Sequence, residues 1–240
     1  MNHDYPLYKK AVAELVGTAF LLAAVVGSGI MAERLSAGNV SLALLENTIA
    51  TGAALVFLIF TFGPISGAHF NPAVTFADAW QYGIQWRAVP AYILAQCSGA
   101  MIGVYAAHLM FGQDVLQISV QIRSGIPQLF SEFVATFGLL ATIWGCSRVR
   151  IDAVPFAVGA YITSAYWFTA STSFANPAVT LARSFTNTFA GIRPKDAPGF
   201  ICMQLLGALA ATLLFRWFAP TLSKSAPDVL LPHDGTRSAE

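Results

Sequence analysis

The 240-residue chain is poor in charge. Only 10% of its residues are Asp, Glu, Lys or Arg, where a soluble domain carries about 25%. That deficit excludes an ordinary water-facing globule. An excess of one sign is missing too: the net charge is +1, which leaves no basic footprint for nucleic acid. Cysteine is scarce. Cys97, Cys146 and Cys202 lie scattered in apolar segments without the spacing of metal ligands, and they read as buried thiols. No nucleophile–base pair is in view, so neither enzyme chemistry nor a cofactor is expected. The first apolar run follows Lys9 and Lys10 and lacks a small-residue cleavage site, so it should remain as a helix.

What the chain has in abundance is apolar surface, at 56% of residues. Several runs approach the roughly 20 residues that cross a hydrocarbon core. Spanning helices are expected at about 11–31, 40–62, 88–110, 128–147, 152–171 and 198–219. One motif occurs twice. Asn71-Pro-Ala-Val-Thr-Phe-Ala77 returns as Asn176-Pro-Ala-Val-Thr-Leu-Ala182, identical at six of seven positions. Residues 71–81 and 176–187 are too short to span and too apolar for ordinary loops. They read as re-entrant half-helices, and irregular backbone at membrane depth is tolerated only where it is buried or lines a wet cavity.

The repetition extends beyond the motif. Glu14-Leu-Val-Gly-Thr18 resembles Glu132-Phe-Val-Ala-Thr136, and Gln96-Cys-Ser-Gly-Ala100 resembles Gln204-Leu-Leu-Gly-Ala208. The expected organisation is a first repeat over 1–110, a connecting loop over 111–127, a second repeat over 128–219 and a disordered tail over 220–240. Three spans per repeat is an odd number, so the repeats must be inverted, with the functional site near the midplane between them. Placing the N- and C-termini in the cytoplasm puts eight Lys or Arg on that side against five on the other, which favours this orientation.

The motif has its own chemistry. Asn suits a helix N-cap and Pro the first helical position. Asn71, Pro72 and Ala73, with Asn176, Pro177 and Ala178, would start two helices from opposite sides, meeting at the midplane. Each start carries about half a positive charge, so the pair would repel a cation while the Asn amides offer donors to a passing oxygen. Such a constellation suits neutral hydroxylated molecules.

Gly63-Pro-Ile-Ser-Gly-Ala-His-Phe-Asn-Pro-Ala-Val-Thr75, the paired Glu helices and the Gln–Gly–Ala helices together resemble the major intrinsic protein family of aquaporins and aquaglyceroporins. The resemblance covers about residues 8–219. It implies an all-α membrane channel of six transmembrane helices and two half-helices in two inverted repeats, usually a homotetramer with one pore per subunit. It gives Glu14 and Glu132 a scaffold role, accepting hydrogen bonds from loop backbone; no other midmembrane charge is expected. His69 reads as a hydrogen-bonded loop residue with gating as the alternative, and His108 as interfacial.

The resemblance also places a selectivity filter at Thr51, Ser164, Ser173 and Val179. Ser164 is the loosest assignment, because the Ser/Thr-rich approach to Asn176 could hide a gap; Tyr161 and Ala165 are its near alternatives. Most relatives carry Arg directly after the second Asn-Pro-Ala, and this chain has Val179. The Val, with Thr51 and the stretch Ser171–Thr180, is similar to channels found with bacterial arsenic-resistance functions. Their implied solutes are neutral metalloid hydroxides and methylated arsenicals, besides water and glycerol-like polyols. The acidic residue typical of glycerol facilitators is replaced by Thr180. Arg183 lies one turn beyond Val179 on the same helix face, and helical side chains lean toward the N-terminus, so it is the alternative filter residue, which would make a water-selective pore. A proton-coupled transporter using Glu14 or Glu132 is the competing class. The expected location is the plasma (inner) membrane of a bacterium.

Overall fold

The computed structural model describes residues 5–218, which form helices and loops with no strand among them. The helices are α1 (Leu7–Leu35), α2 (Val40–Ser66), α3 (Pro72–Trp80), α4 (Val89–Met110), α5 (Ile126–Ser147), α6 (Val154–Phe168), α7 (Pro177–Arg183) and α8 (Ala197–Phe218), with 3-10 turns at Trp86–Ala88 and Ile151–Ala153. The expected tail at 220–240 lies outside the described residues.

Local sequence sets the ends. Asn39 caps α2 by accepting a hydrogen bond from the Leu42 amide at 3.1 Å, and Gly67 ends it in the left-handed region at φ 87°, where glycine carries no Cβ penalty. Proline falls in the first turn of α4, α5 and α6, where its missing N–H costs no helical bond.

Five helices are long and apolar enough to cross a membrane. The sixth expected span, 152–171, is cut to the 15 residues of α6, about 22 Å of helix. It stops because Thr169 turns extended, the Ala170 amide is taken by Ser131 Oγ at 3.0 Å, and Thr172 and Ser173 are left-handed. The second half-helix likewise ends at Arg183 rather than at 187.

Helix α1 packs on α2 and α4, α5 packs on α6 and α8, and α2 joins α6 between them; α3 and α7 wedge against α4 and α8. Two glycines fix the closest approaches. A Cβ on Gly99 would collide with the Leu15 carbonyl, and one on Gly207 with the Phe133 carbonyl. Small residues let membrane helices come this close. Each glycine follows a glutamine by three positions, and each carbonyl follows a glutamate by one. The glycine therefore lowers the glutamine onto the glutamate. Large apolar side chains such as Phe20, Ile49, Leu94, Ile102 and Leu213 stay exposed on the outer faces, as a lipid-facing surface requires. Of the cysteines, Cys97 and Cys146 are half-buried, but Cys202 is exposed, on the outer face of α8 rather than in the core.

Candidate functional site

The two Asn-Pro-Ala segments meet in the interior. Asn71 caps α3, its Oδ1 accepting from the Ala73 amide at 2.9 Å. Asn176 caps α7, accepting from Ala178 at 3.0 Å and Val179 at 3.3 Å. Each amide then reaches across: Asn71 Nδ2 donates to the Ala175 carbonyl at 2.8 Å, and Asn176 Nδ2 donates to the Phe70 carbonyl at 2.7 Å. The two caps brace one another. An Asn amide has two N–H donors, and this brace uses one at each cap. Both residues line a central cavity.

Behind each cap is a buried carboxylate. Glu14 accepts from the amides of His69 (2.9 Å) and Phe70 (2.7 Å), from Ser66 Oγ (2.7 Å) and from Gln96 Nε2 (2.8 Å). Glu132 accepts from the amides of Phe174 (2.9 Å) and Ala175 (2.9 Å) and from Gln204 Nε2 (2.6 Å). Gln96 and Gln204 also donate to Thr75 and Thr180 at 2.8 Å each. These carboxylates hold left-handed residues, Ala68 and Phe70 before one cap and Ser173 and Ala175 before the other, a conformation that L-residues adopt only at a cost. Neither glutamate lines the cavity.

The cavity runs past His69, Asn71 and Val74 on one side and Ser173, Asn176 and Val179 on the other, with Thr51 and Tyr166 along its wall. Ser164 is not there. It is exposed and hydrogen-bonds the Tyr161 carbonyl at 2.8 Å. Tyr161 ties α6 to the Ala135 carbonyl of α5, and Ala165 is buried away from the lumen. The face of α6 on the cavity is Val158, Ile162 and Tyr166, a run of fours that excludes 164. Tyr166 donates its hydroxyl to Thr51 Oγ1 at 3.3 Å. The loop to Asn176 is thus two residues shorter than the spacing that pointed to Ser164.

Arg183 does reach the lumen. It is 2% exposed and lines the cavity. Its guanidinium lies on the Phe174 ring, Cζ 3.4 Å from the centroid, and its Nε donates to the Ala190 carbonyl. From the connecting loop Arg123 approaches the same ring at 5.0 Å. Its side chain donates to the carbonyls of Gly191 (2.8 Å), Ser171 (3.2 Å) and Phe189 (3.4 Å). Burial pushes the Arg123 pKa down, though an arginine stays charged at neutral pH.

His69 also lines the cavity, with Nδ1 3.0 Å from Thr75 Oγ1 and Nε2 3.5 Å from Asp78 Oδ2. Asp78 is buried inside α3, so together with Arg183 it corrects the expectation that the two glutamates are alone at depth. Its signal was position: it follows Asn71 by seven residues, as Arg183 follows Asn176. His108 lies in the last turn of α4. It is buried, with ring nitrogens 2.9 Å from the Val115 carbonyl and 2.8 Å from Thr186 Oγ1, where it ties the connecting loop to the segment after α7.

Comparison with known proteins agrees with this architecture. The major intrinsic protein model matches residues 2–150 and 145–240. The chain is 54% identical over 229 residues to the aquaglyceroporin AqpS of Rhizobium meliloti (strain 1021), covering 94% of this chain and 98% of that one. It is 36% identical over 162 residues to aquaporin NIP1-1 of Zea mays, covering 65% and 56%. The X-ray structure of the aquaglyceroporin from Plasmodium falciparum superposes with a TM-score of 0.64 at 21% identity, covering 91% of this chain and all of that one. The chain belongs to the major intrinsic protein family: it is an integral membrane channel of aquaporin fold, and not an enzyme.

Proposed function

We propose that the chain is a passive channel for small neutral solutes, namely water, glycerol-like polyols and neutral metalloid hydroxides or methylated arsenicals. The observation that carries this reading is the lumen itself: a cavity lined by Thr51, Tyr166, Ser173 and Val179 and by the braced Asn71 and Asn176. In this reading those four residues are the filter. Val179 supplies neither a donor nor a charge at a position where a guanidinium would narrow the passage. The hydroxyls of Thr51, Tyr166 and Ser173 keep the ring polar for hydroxylated solutes. The high identity to a protein named an aquaglyceroporin supports polyol passage.

The same reading makes the halves of the chain inverted repeats. It also places both termini in the cytoplasm, so that the α7 end of the lumen opens outside a bacterial plasma membrane, and it assembles the chain as a homotetramer. A proton-coupled transporter is disfavoured because Glu14 and Glu132 are wholly engaged by loop backbone and glutamines. The placement of Arg183 on the lumen favours a second reading, a water-selective pore closed by that residue.

The test is stopped-flow flux of water, glycerol and arsenite in proteoliposomes. All three should pass without saturation and without response to a proton gradient. Val179→Arg should keep water flux and slow glycerol and arsenite, by about tenfold if the guanidinium removes about 1.4 kcal/mol of passage. Passage of water alone, with glycerol admitted only after Arg183→Ala, would establish the second reading instead.

A further inference from the structure

Arg183 is almost wholly buried, yet among the described residues Nε is its one hydrogen-bonded side-chain nitrogen. Among the described residues its two terminal nitrogens have no acceptor, and they are not sealed within the wall. The Phe174 ring fixes the plane of the guanidinium, so the unengaged edge has a set direction. Among the described residues no carboxylate is bonded to it, and Glu132 acts on it only through space. Glu132 is occupied by the Phe174 and Ala175 amides and Gln204. Asp196 accepts from the Arg123 backbone amide at 3.0 Å and pairs with Arg193 at 3.0 Å. Arg123 adds a second positive charge against the same ring, with its side-chain donors directed to carbonyls and Thr172. One mouth of the lumen therefore holds two guanidinium charges that, among the described residues, no carboxylate contacts, one of them with an open fork. A guanidinium fork matches the paired oxygens of a carboxylate or a tetrahedral oxyanion. A neutral polyol could accept the hydrogen bonds but would leave the charge uncompensated.

We propose that Arg183 forms a binding site for a small oxyanion at the α7 mouth, and that the bound anion obstructs the entry of neutral solutes. The anion would sit above Val179 with its oxygens on the terminal nitrogens of Arg183, and Arg123 would attract it without touching it. The obstruction rests on the channel reading above; the binding site does not.

Two measurements on the full chain separate the two, with inorganic phosphate as the probe. The first is equilibrium binding of radiolabelled phosphate to purified protein in detergent. The second is glycerol flux in proteoliposomes in phosphate or in chloride at matched ionic strength and neutral pH. Phosphate should bind, and should slow glycerol in a dose-dependent way that chloride does not. Losing one charged hydrogen bond weakens affinity by about tenfold or more, so Arg183→Met should raise both the dissociation constant and the half-inhibiting concentration by that factor. Arg183→Lys keeps charge without the fork and should fall between. Equal phosphate binding by the unaltered protein and Arg183→Met, or no binding at all, overturns the site. If Arg183→Met does not elute as a single species, Arg183→Lys carries the comparison, and an unchanged dissociation constant overturns the site. Phosphate binding that depends on Arg183 with no effect on glycerol flux leaves the site and removes the obstruction. Absence of glycerol flux in chloride removes the solute reading and leaves the binding measurement intact.

Discussion

The two halves of this chain share a scaffold and differ in what they show the lumen. In each, a glutamate from the first helix gathers the amides before an Asn-Pro-Ala cap, and a glutamine and a threonine complete the network. Two residues before the cap the first half has His69 and the second Phe174; seven residues after it they have Asp78 and Arg183. In each half the ring meets the charge, His69 Nε2 at 3.5 Å from Asp78 and the Phe174 face at 3.4 Å from Arg183. The hydrogen bonds that hold the fold are alike in the two halves, and the side chains set before and after each cap are not. One half sets an imidazole on the lumen with a buried carboxylate behind it, and the other a guanidinium on a phenyl ring.

The largest expected effect comes from breaking the shared part. Glu14→Ala and Glu132→Ala each strand buried donors, at about 1–3 kcal/mol per donor. Glu14 serves four donors and Glu132 three, so both variants should lose much of their thermal stability in detergent, and Glu14→Ala the more. An equal or reversed order would mean that the Ser66 contact adds nothing. Glu→Gln keeps the shape but turns one acceptor oxygen into a donor, and should be milder in both halves.

A smaller effect should follow at the caps. Losing an Asn N-cap costs about 0.5–2 kcal/mol, and here the cross-brace goes with it. Asn71→Ala frees the Ala175 carbonyl, and Asn176→Ala frees the Phe70 carbonyl. Each single variant should therefore loosen the opposite half. Hydrogen exchange should show faster protection loss around Ala175 in Asn71→Ala and around Phe70 in Asn176→Ala. The double variant should cost less than the sum, because the braces join the same two segments. Full additivity would make the two caps independent.

What the sequence disclosed divides along the same line. The scaffold was legible because it is repeated: two caps, two glutamates and two Gln-x-x-Gly helices stand out by comparison of one half with the other. The lining was less legible because it is where the halves differ. Ser164 was placed by counting back from Asn176 along a loop, and a count cannot tell where a helix ends. The four-residue run Val158, Ile162, Tyr166 on α6 would have pointed to Tyr166. Asp78 passed unremarked because α3 is short and apolar; only its match in position to Arg183 marks it. The reach of Arg183 could be stated as an option, since side chains lean toward the helix N-terminus, but its capture by Phe174 depends on a loop whose path the sequence does not give.

The smallest effect lies at the α7 mouth, outside the membrane-spanning segments, and has no partner in the other half. Asp196 precedes α8 and accepts from the Arg123 amide and the Arg193 guanidinium. Burial raises its pKa, but the hydrogen bonds from Arg193 and the Arg123 backbone, with the charges of Arg193 and Lys195, outweigh it and hold the carboxyl below the usual range. A carboxyl with a depressed pKa in the folded protein adds stability that is present above its unfolded value, near 4, and is lost as pH falls through the folded value. The contribution should therefore be constant from neutral pH to about 5 and decline below that. It should show as a lower protection of the Arg123 amide in acid, measured against the intrinsic rate at the same pH, while the caps at Asn71 and Asn176 stay protected. Asp196→Asn should remove the acid dependence and leave a small constant loss. If the Arg123 amide keeps the same protection, relative to its intrinsic rate at each pH, in mild acid and at neutral pH in the unaltered protein, Asp196 is not what anchors the connecting loop over this mouth, and Arg123 is held by its carbonyl contacts alone.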